Sequence, residues 1–282
     1  MKRIVILLLI ITGLYIVFNQ TFQFDAFAFG GSKDGRATLS KTIDTIEINV
    51  GSVRTTIIPE DRNDVEAVLT GKGSLIVKET GNRLVVETKR KMFNWFTSSE
   101  KRQLKIYIPE DYNSNMNIQI GSGRLDFSGE SMKLNKLSLD IGSGNVNLGH
   151  LEVDEFTHDG SSGNVKIDTL MTKKGTFDLS SGNLDIEHYT GAIQADVSSG
   201  RLSVQMDKLN DSIDIDLSSG DVMLDLPDNA DFNLNGKVSS GNISSDFPLA
   251  SNGTDNKSIQ GTHGSGKTKI NVTVSSGDVK LF

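Results

Sequence analysis

The eight residues Gly261–Thr268, GTHGSGKT, have the spacing G-x-x-x-x-G-K-[ST] of a phosphate-binding loop. In nucleotide-binding proteins this loop follows a buried strand and begins a helix, whose N-terminus and backbone N–H groups hold the phosphates. Here the alternating sequence TKINVTV follows, which predicts a strand at this point instead of a helix. We therefore expect a chance match that binds no nucleotide, and we predict no cofactor.

Carboxylates are the second group that could do chemistry, and most aspartates fall at outward positions of predicted strands. Paired carboxylates can cleave glycosidic bonds, and clustered ones can bind divalent cations. The spacing selects no pair, and the Gly-Gly-x-Gly-x-Asp repeat of calcium-binding β-rolls is absent. We predict no catalytic or metal-binding residue, because outward Asp beside Lys more often keeps sheets from pairing. The alternative is a carbohydrate-active enzyme using surface carboxylates among Asp126, Asp140, Asp168, Asp178, Asp185, Asp196, Asp216 and Asp225.

The elements that carry these residues repeat one phrase, Ser-Gly or Ser-Ser-Gly, with apolar residues at every second position on both sides. This alternation predicts strands with one buried face, so each unit consists of a strand, a corner, a strand and a looser turn. The first seven corner glycines are 18 to 21 residues apart, and the last follows an insertion. These structural corner glycines are Gly123, Gly144, Gly163, Gly182, Gly200, Gly220, Gly241 and Gly277.

A period near 20 residues is typical of a solenoid. We predict an all-β fold, a single-domain parallel β-solenoid (β-helix) preceded by an N-terminal transmembrane helix. Stacking would place Val165, Leu184 and Leu202 in one column, with glycine at each corner for a positive φ or a close approach. A β-sandwich of hairpins is the alternative. Residues 42–60 and 74–90 also alternate, and we interpret them as degenerate first coils.

His158 occupies a position that is apolar in the neighbouring repeats, and Gly160 follows at the next inward position. Two structural explanations stay open: a bulge that turns the imidazole outward, or an interior imidazole with a hydrogen bond. The remaining histidines, His150, His188 and His263, show no metal-ligand spacing with it.

The N-terminus places Lys2 and Arg3 before the apolar run IVILLLIITGLYIVF. We predict a membrane anchor or signal peptide at residues 1–20, a linker at 21–39 and an extracytoplasmic β-solenoid domain at 40–282. Cleavage would follow Ala28. Because Lys and Arg next to a membrane segment stay on its cytoplasmic side, both interpretations place the domain outside the cytoplasm. A retained anchor would make the chain a single-pass protein of the cell membrane. A formal charge of −7 disfavours nucleic acid as a partner, and the absence of Cys excludes disulfides.

One basic stretch at residues 89–102, KRKMFNWFTSSEKR, surrounds the only Trp of the chain. Aromatic side chains beside Lys and Arg suit contact with an anionic lipid surface. The alternative is a solvated loop that caps the first coil. The residues predicted for membrane contact are Lys89, Arg90, Lys91, Phe93, Trp95, Phe96, Lys101 and Arg102.

The segment IYIPEDYNSNMNIQIGSGRLDF, the SSGN and SSGD corners and the closing IQGTHGSGKTKINVTVSSGDVKLF resemble a bacterial family of unknown function whose members are described as putative adhesins. The resemblance covers residues 40–282 and implies an exported, non-catalytic domain with no established ligand residues. We therefore expect a binding or scaffold protein of the cell envelope, linked to envelope stress. Its expected partners are the membrane, through the anchor, and other envelope-stress membrane proteins or cell-wall polymers.

Overall fold

A computed structural model of the chain describes residues 34–40, 42–89, 102–127, 129, 131–255 and 257–282, with the backbone alone for 251–255. The expected anchor at residues 1–20, the site after Ala28 and residues 90–101 lie outside the described residues. In the ranges that are described, no helix has the length and hydropathy needed to cross a bilayer.

The described residues form 22 strands that belong to one sheet. The strands are β1 (Asp34–Thr38), β2 (Thr45–Val50), β3 (Arg54–Glu60), β4 (Asp64–Thr70), β5 (Ser74–Thr80), β6 (Arg83–Lys89), β7 (Gln103–Pro109), β8 (Asn115–Ile120), β9 (Arg124–Phe127), β10 (Met132–Ile141), β11 (Asn145–Gly160), β12 (Asn164–Leu179), β13 (Asn183–Val197), β14 (Arg201–Lys208), β15 (Ile213–Leu217), β16 (Asp221–Asp225), β17 (Phe232–Val238), β18 (Asn242–Ser245), β19 (Ala250–Asp255), β20 (Ser258–His263), β21 (Thr268–Val274) and β22 (Asp278–Leu281). The all-β prediction is confirmed.

Buried and exposed residues alternate along the strands, because successive side chains of a strand point to opposite faces. In β12, the alternation changes phase at Asp168–Thr169 and again at Lys173–Lys174, where two neighbouring residues both face outward. Each change marks a bend, so this coil has three sides. The looser turn expected between strands is therefore wrong here, since the backbone stays extended from Asn164 to Leu179.

Neighbouring coils pair in parallel and in register. Val165 pairs with Leu184, and Leu184 pairs with Leu202, so the predicted column exists. Val146 extends it on the other side by pairing with Val165. Each equivalent residue is thus about 4.8 Å from the next, and the inward side chains bury one another only through this stacking.

The order of the coils departs from the order of the sequence at both ends of the stack. At the C-terminal end, β21 and β22 lie between the coil of β15 and β16 and the coil of β17 and β18. At the N-terminal end, β2 and β3 lie between β6 and β7 on one side and β8 and β9 on the other. A coil can dock on any edge that presents matching hydrogen-bonding groups and apolar side chains, so chain order does not dictate stack order.

Antiparallel strands cover both ends of the stack. At the N-terminal end, β4 pairs with β7, β1 pairs with β4, and β5 pairs with β6. At the C-terminal end, β20 pairs with β17, and β19 pairs with β20. The interpretation of residues 42–60 as a first coil is confirmed. The interpretation of 74–90 as a coil is wrong, because β5 turns back at Gly81 (φ 63°) into a hairpin with β6. Strand β1, at Asp34–Thr38, lies within the segment 21–39 that was expected to be a linker.

Candidate functional site

The corner glycines form a ladder along one edge of the stack. A Cβ atom at Gly163 would lie 2.8 Å from the carbonyl oxygen of Gly144, and one at Gly144 would lie 2.5 Å from that of Gly123. Among the eight corner glycines, φ is positive at Gly220 (132°) and Gly277 (153°). Close approach between coils, rather than a positive φ, thus explains most corners, and it identifies the repeated phrase as a packing feature.

One outward row next to this ladder carries a carboxylate on every strand across five neighbouring strands. The row consists of Asp140, Asp159, Asp178, Asp196 and Asp216, and all five residues are exposed. Burial is the main cause that raises the pKa of the central Asp178, and the neighbouring Asp159 and Asp196 add to it. We name this set the acidic row.

Asp159 was not among the carboxylates predicted from the sequence, and the acidic row was not predicted. The signal that could have found it is positional, since each member stands four residues before a corner glycine. The carboxylates lie on an exposed strand face, where water reaches each of them. Within the described ranges, no three His, Asp or Glu side chains are grouped closely enough to hold a metal ion.

His158 points into the core, so the interior explanation is correct. Its side chain is 1% exposed, and Nδ1 donates a hydrogen bond to the carbonyl oxygen of Leu139 (3.3 Å). Burial lowers the pKa of His158 to about 4, so the imidazole is neutral near pH 7. A Cβ at Gly160 would lie 2.7 Å from Nε2 of His158, which explains the glycine at that inward position.

The loop at Gly261–Thr268 surrounds a carboxylate of the chain itself. Strand β20 lies on one edge of β17 and β21 on the other, so the connecting residues 264–267 cross over the start of β17. There, Ser265 Oγ donates to one carboxylate oxygen of Asp231 (2.6 Å), and the backbone N–H of Lys267 donates to the other (2.9 Å). These hydrogen bonds, first that from Ser265, lower the pKa of Asp231 to about 2.

This loop has the backbone of an anion-binding nest, with positive φ at Gly264 (68°) and Gly266 (76°). The predicted strand after Thr268 is confirmed, and no helix begins there. The Asp231 carboxylate thus accepts hydrogen bonds from the same kinds of group, a backbone N–H and a hydroxyl, that would bind a phosphate in such a loop.

The C-terminal end of the stack also holds an open cavity of about 620 Å³. Carboxamides dominate its lining: Asn233 and Asn235 from β17, Gln260 from β20 and Asn271 from β21. Lys269 and Gly266 complete the polar part of the wall. This cavity was not predicted from the sequence, because its residues come from three strands that only the stack order brings together.

The structure describes two of the eight residues predicted for membrane contact. Lys89 is exposed at the end of β6, and Arg102 donates from Nη2 to the carbonyl oxygen of Ser52 (3.0 Å). The other six, from Arg90 to Lys101, lie outside the described residues.

These features define an all-β protein whose mostly parallel sheet is wound into stacked coils. The chain belongs to the toastrack DUF4097 family, whose profile matches residues 43–281. No curated protein matches it.

Solved structures with a similar fold include proteins from Parabacteroides distasonis and Bacteroides fragilis. A putative adhesin from Parabacteroides distasonis is 15% identical with a TM-score of 0.50, over 88% of this chain and 96% of that chain. A putative lipid binding protein from the same species is 16% identical with a TM-score of 0.49, over 90% and 98% of the two chains. A putative adhesin from Bacteroides fragilis is 14% identical with a TM-score of 0.48, over 88% and 96%. At these identities the likeness concerns the fold alone.

Proposed function

We propose that this protein is a non-catalytic binding and scaffold module, built as a single-domain parallel β-solenoid and held by an N-terminal membrane helix outside the cytoplasm. The observation that carries the proposal is the filled interior, since the inward side chains form one apolar cluster that reaches from Ile43 to Leu281. The described residues therefore present their polar side chains on outward rows, where partners can contact them.

The acidic row supports binding better than catalysis. A general acid needs a carboxyl pKa near the working pH, which enzymes reach by burying the group in a cleft. The five aspartates are exposed on a strand face instead of being buried in a cleft. Cationic groups of a partner could pair with the row without any reaction. We expect such partners among envelope-stress membrane proteins or cell-wall polymers, as the family resemblance implies.

The membrane attachment rests on the sequence of residues 1–20, in which Lys2 and Arg3 precede an apolar run. The basic stretch at 89–102 would add a second contact, with Trp95 and Phe96 at the headgroup level. Binding of the soluble domain, without the apolar N-terminal segment, to anionic vesicles tests this second contact. If Trp95→Ala combined with Phe96→Ala leaves vesicle binding unchanged, the stretch is a solvated cap.

The topology can be tested by thiol labelling, because the chain contains no Cys. Ser161→Cys places one thiol at an exposed corner, and Lys2→Cys places one before the apolar run. A membrane-impermeant maleimide should label Ser161→Cys on intact cells, and Lys2→Cys only after the cells are permeabilised. Labelling of Ser161→Cys only after permeabilisation would overturn the proposal. The intact mass of the mature chain then decides between a retained anchor and cleavage after Ala28.

A further inference from the structure

The amide-lined cavity at the C-terminal end of the stack has the volume of a small-molecule site and an open, mostly polar lining. Its volume of about 620 Å³ lies within the range of small-molecule sites. Along β17, Asn233 and Asn235 alternate with buried Phe232 and Leu234, so the amides lie on the outward face and the apolar residues support them from below.

The four carboxamides are held by hydrogen bonds that use part of their capacity. Gln260 Nε2 donates to Asn235 Oδ1 (3.3 Å), and Asn271 Nδ2 donates to Asp214 Oδ1 (2.7 Å). Asn233 Nδ2 donates to the hydroxyl of Thr262 (3.0 Å). Each carboxamide has two N–H donors and an oxygen with two acceptor positions. Asn235 Nδ2 in turn donates to Asn271 Oδ1 (3.5 Å), so each of the four amides donates one N–H in these contacts. The second N–H of each amide, and the second acceptor position of the Asn235 and Asn271 oxygens, remain for a ligand at the surface of the cavity.

The wall of the cavity is fixed by the loop that surrounds Asp231. A Cβ at Gly266 would lie 2.9 Å from Cγ2 of Thr262 and 3.6 Å from Cβ of Asn233, so the loop packs directly on the amide face. Because Ser265 and Lys267 donate to Asp231, the loop is tied to the start of β17. A site whose wall is fixed in this way loses little conformational entropy when a ligand binds.

The charges around the cavity favour a neutral ligand. Lys269 lies beside Asn233 in the register, and the Asp214 carboxylate lies beside Asn271 on the opposite side. One cation and one anion give no net charge, whereas a phosphate site gathers several cations or backbone N–H groups. Hydroxyl groups both donate and accept hydrogen bonds, as carboxamides do, so a polyhydroxylated ligand fits this lining best.

We propose that this cavity binds a neutral oligosaccharide through Asn235, Gln260 and Asn271. This inference rests on the proposed function as a binding module and assigns it a site and a ligand class. The open cavity allows a chain of sugars to pass along the outward face. The sugar hydroxyls would donate to the amide oxygens and accept from the free amide N–H groups.

The experiment is calorimetric titration of the full-length chain, in a detergent without a sugar headgroup. The probes are the N-acetylglucosamine tetrasaccharide, cellotetraose and inorganic phosphate. Gln260→Ala and Asn235→Ala each remove one amide from the cavity. The matched control is Gln194→Ala, which removes an exposed amide from the same outward row on β13, outside the cavity lining. Thermal unfolding followed by circular dichroism establishes that each variant is folded. If Asn235→Ala does not fold, the surface substitution Gln260→Ala alone tests the site.

We expect at least one tetrasaccharide to bind, and each cavity variant to weaken this binding about five- to tenfold through the loss of one or two hydrogen bonds. Gln194→Ala should bind as the wild type does. The inference is overturned if neither tetrasaccharide binds, if Gln194→Ala loses as much affinity as Gln260→Ala, or if phosphate displaces the sugar. These outcomes are independent of thiol labelling on cells, so failure of the site and failure of the proposed topology can be told apart.

Discussion

Asn242 donates its backbone N–H to the carbonyl oxygen of Gly277 over 2.9 Å, although Gly277 follows it by a whole hairpin and a further strand. The coil that comes later in the sequence therefore lies deeper in the stack. Gly277 in turn packs on Gly220, since a Cβ at Gly277 would lie 2.5 Å from the Gly220 carbonyl oxygen. The last strands, β21 and β22, are an internal layer of the stack and not its end.

Gly277→Ala should destabilise the fold strongly. The alanine side chain would meet the Gly220 backbone on one side while its own backbone holds φ at 153°. We expect the free energy of unfolding to fall by more than about 2 kcal/mol, measured by urea denaturation followed by circular dichroism. Gly51→Ala is the matched control, because a Cβ at that corner meets nothing within 4 Å. Equal losses in the two variants would contradict the close-approach explanation of the corners.

Thr55→Val should stabilise the protein. Thr55 is fully buried between Leu104 and Leu125 in neighbouring strands, and its hydroxyl has no hydrogen-bond partner in the described part of the chain. Valine has nearly the same shape and removes the unsatisfied group, so we expect a gain of about 1 kcal/mol in the free energy of unfolding.

The control for this gain is Thr268→Val. Thr268 is also buried, but its hydroxyl donates to the carbonyl oxygen of Leu209 (3.3 Å). Loss of that bond should destabilise the fold by about 1 kcal/mol. If both variants change stability in the same direction, the unsatisfied hydroxyl of Thr55 is not the cause.

The stability of the protein should fall as the pH decreases from about 6.5 to about 4 because of His158. In the unfolded chain the imidazole binds a proton below its ordinary pKa of 6.5, whereas burial lowers the folded pKa to about 4. Over this window the unfolded state binds more protons, so acid favours unfolding by about 3 kcal/mol in total. Urea denaturation at several pH values measures the slope.

His158→Leu tests the assignment, since Leu139 occupies the equivalent inward position in the previous coil. This variant should lose most of the slope between the two pH limits. His188→Gln provides a contrast of opposite sign. The hydrogen bond that His188 Nδ1 donates to the Asp207 carboxylate raises the pKa of exposed His188, so the stabilising contribution of His188 is present at low pH and is lost as the pH rises. An unchanged slope in His158→Leu would contradict the prediction.

Asp178→Asn should raise the melting temperature at neutral pH. Burial and the carboxylates of Asp159 and Asp196 raise the pKa of Asp178, so its ionised form is disfavoured in the folded state. The gain should disappear at acid pH, where Asp178 is protonated and already neutral. Asp185→Asn is the control, because Asp185 pairs in the register with Lys166 and Ser203. A larger gain in the control than in Asp178→Asn would contradict repulsion within the acidic row.

Much of the architecture could be predicted from local pattern. Apolar alternation around the corners predicted the strands on both sides of Gly163 and Gly182, and also the first coil at 42–60. It also predicted the column of Val165, Leu184 and Leu202. The strand after Thr268 could be predicted for the same reason. Alternating burial follows from the geometry of a single strand, so consecutive residues show it whichever strand lies beside it.

Tertiary structure alone decided which coil lies beside which. That order places β21 and β22 inside the stack, and it carries residues 264–267 across Asp231. It also brings Asn235, Gln260 and Asn271 together in one cavity. Every coil presents nearly the same edge of backbone N–H and C=O groups and nearly the same apolar column, so the sequence of one coil does not specify its neighbour. The choice is made by the packing of the whole stack, where each edge must find a partner or a cap.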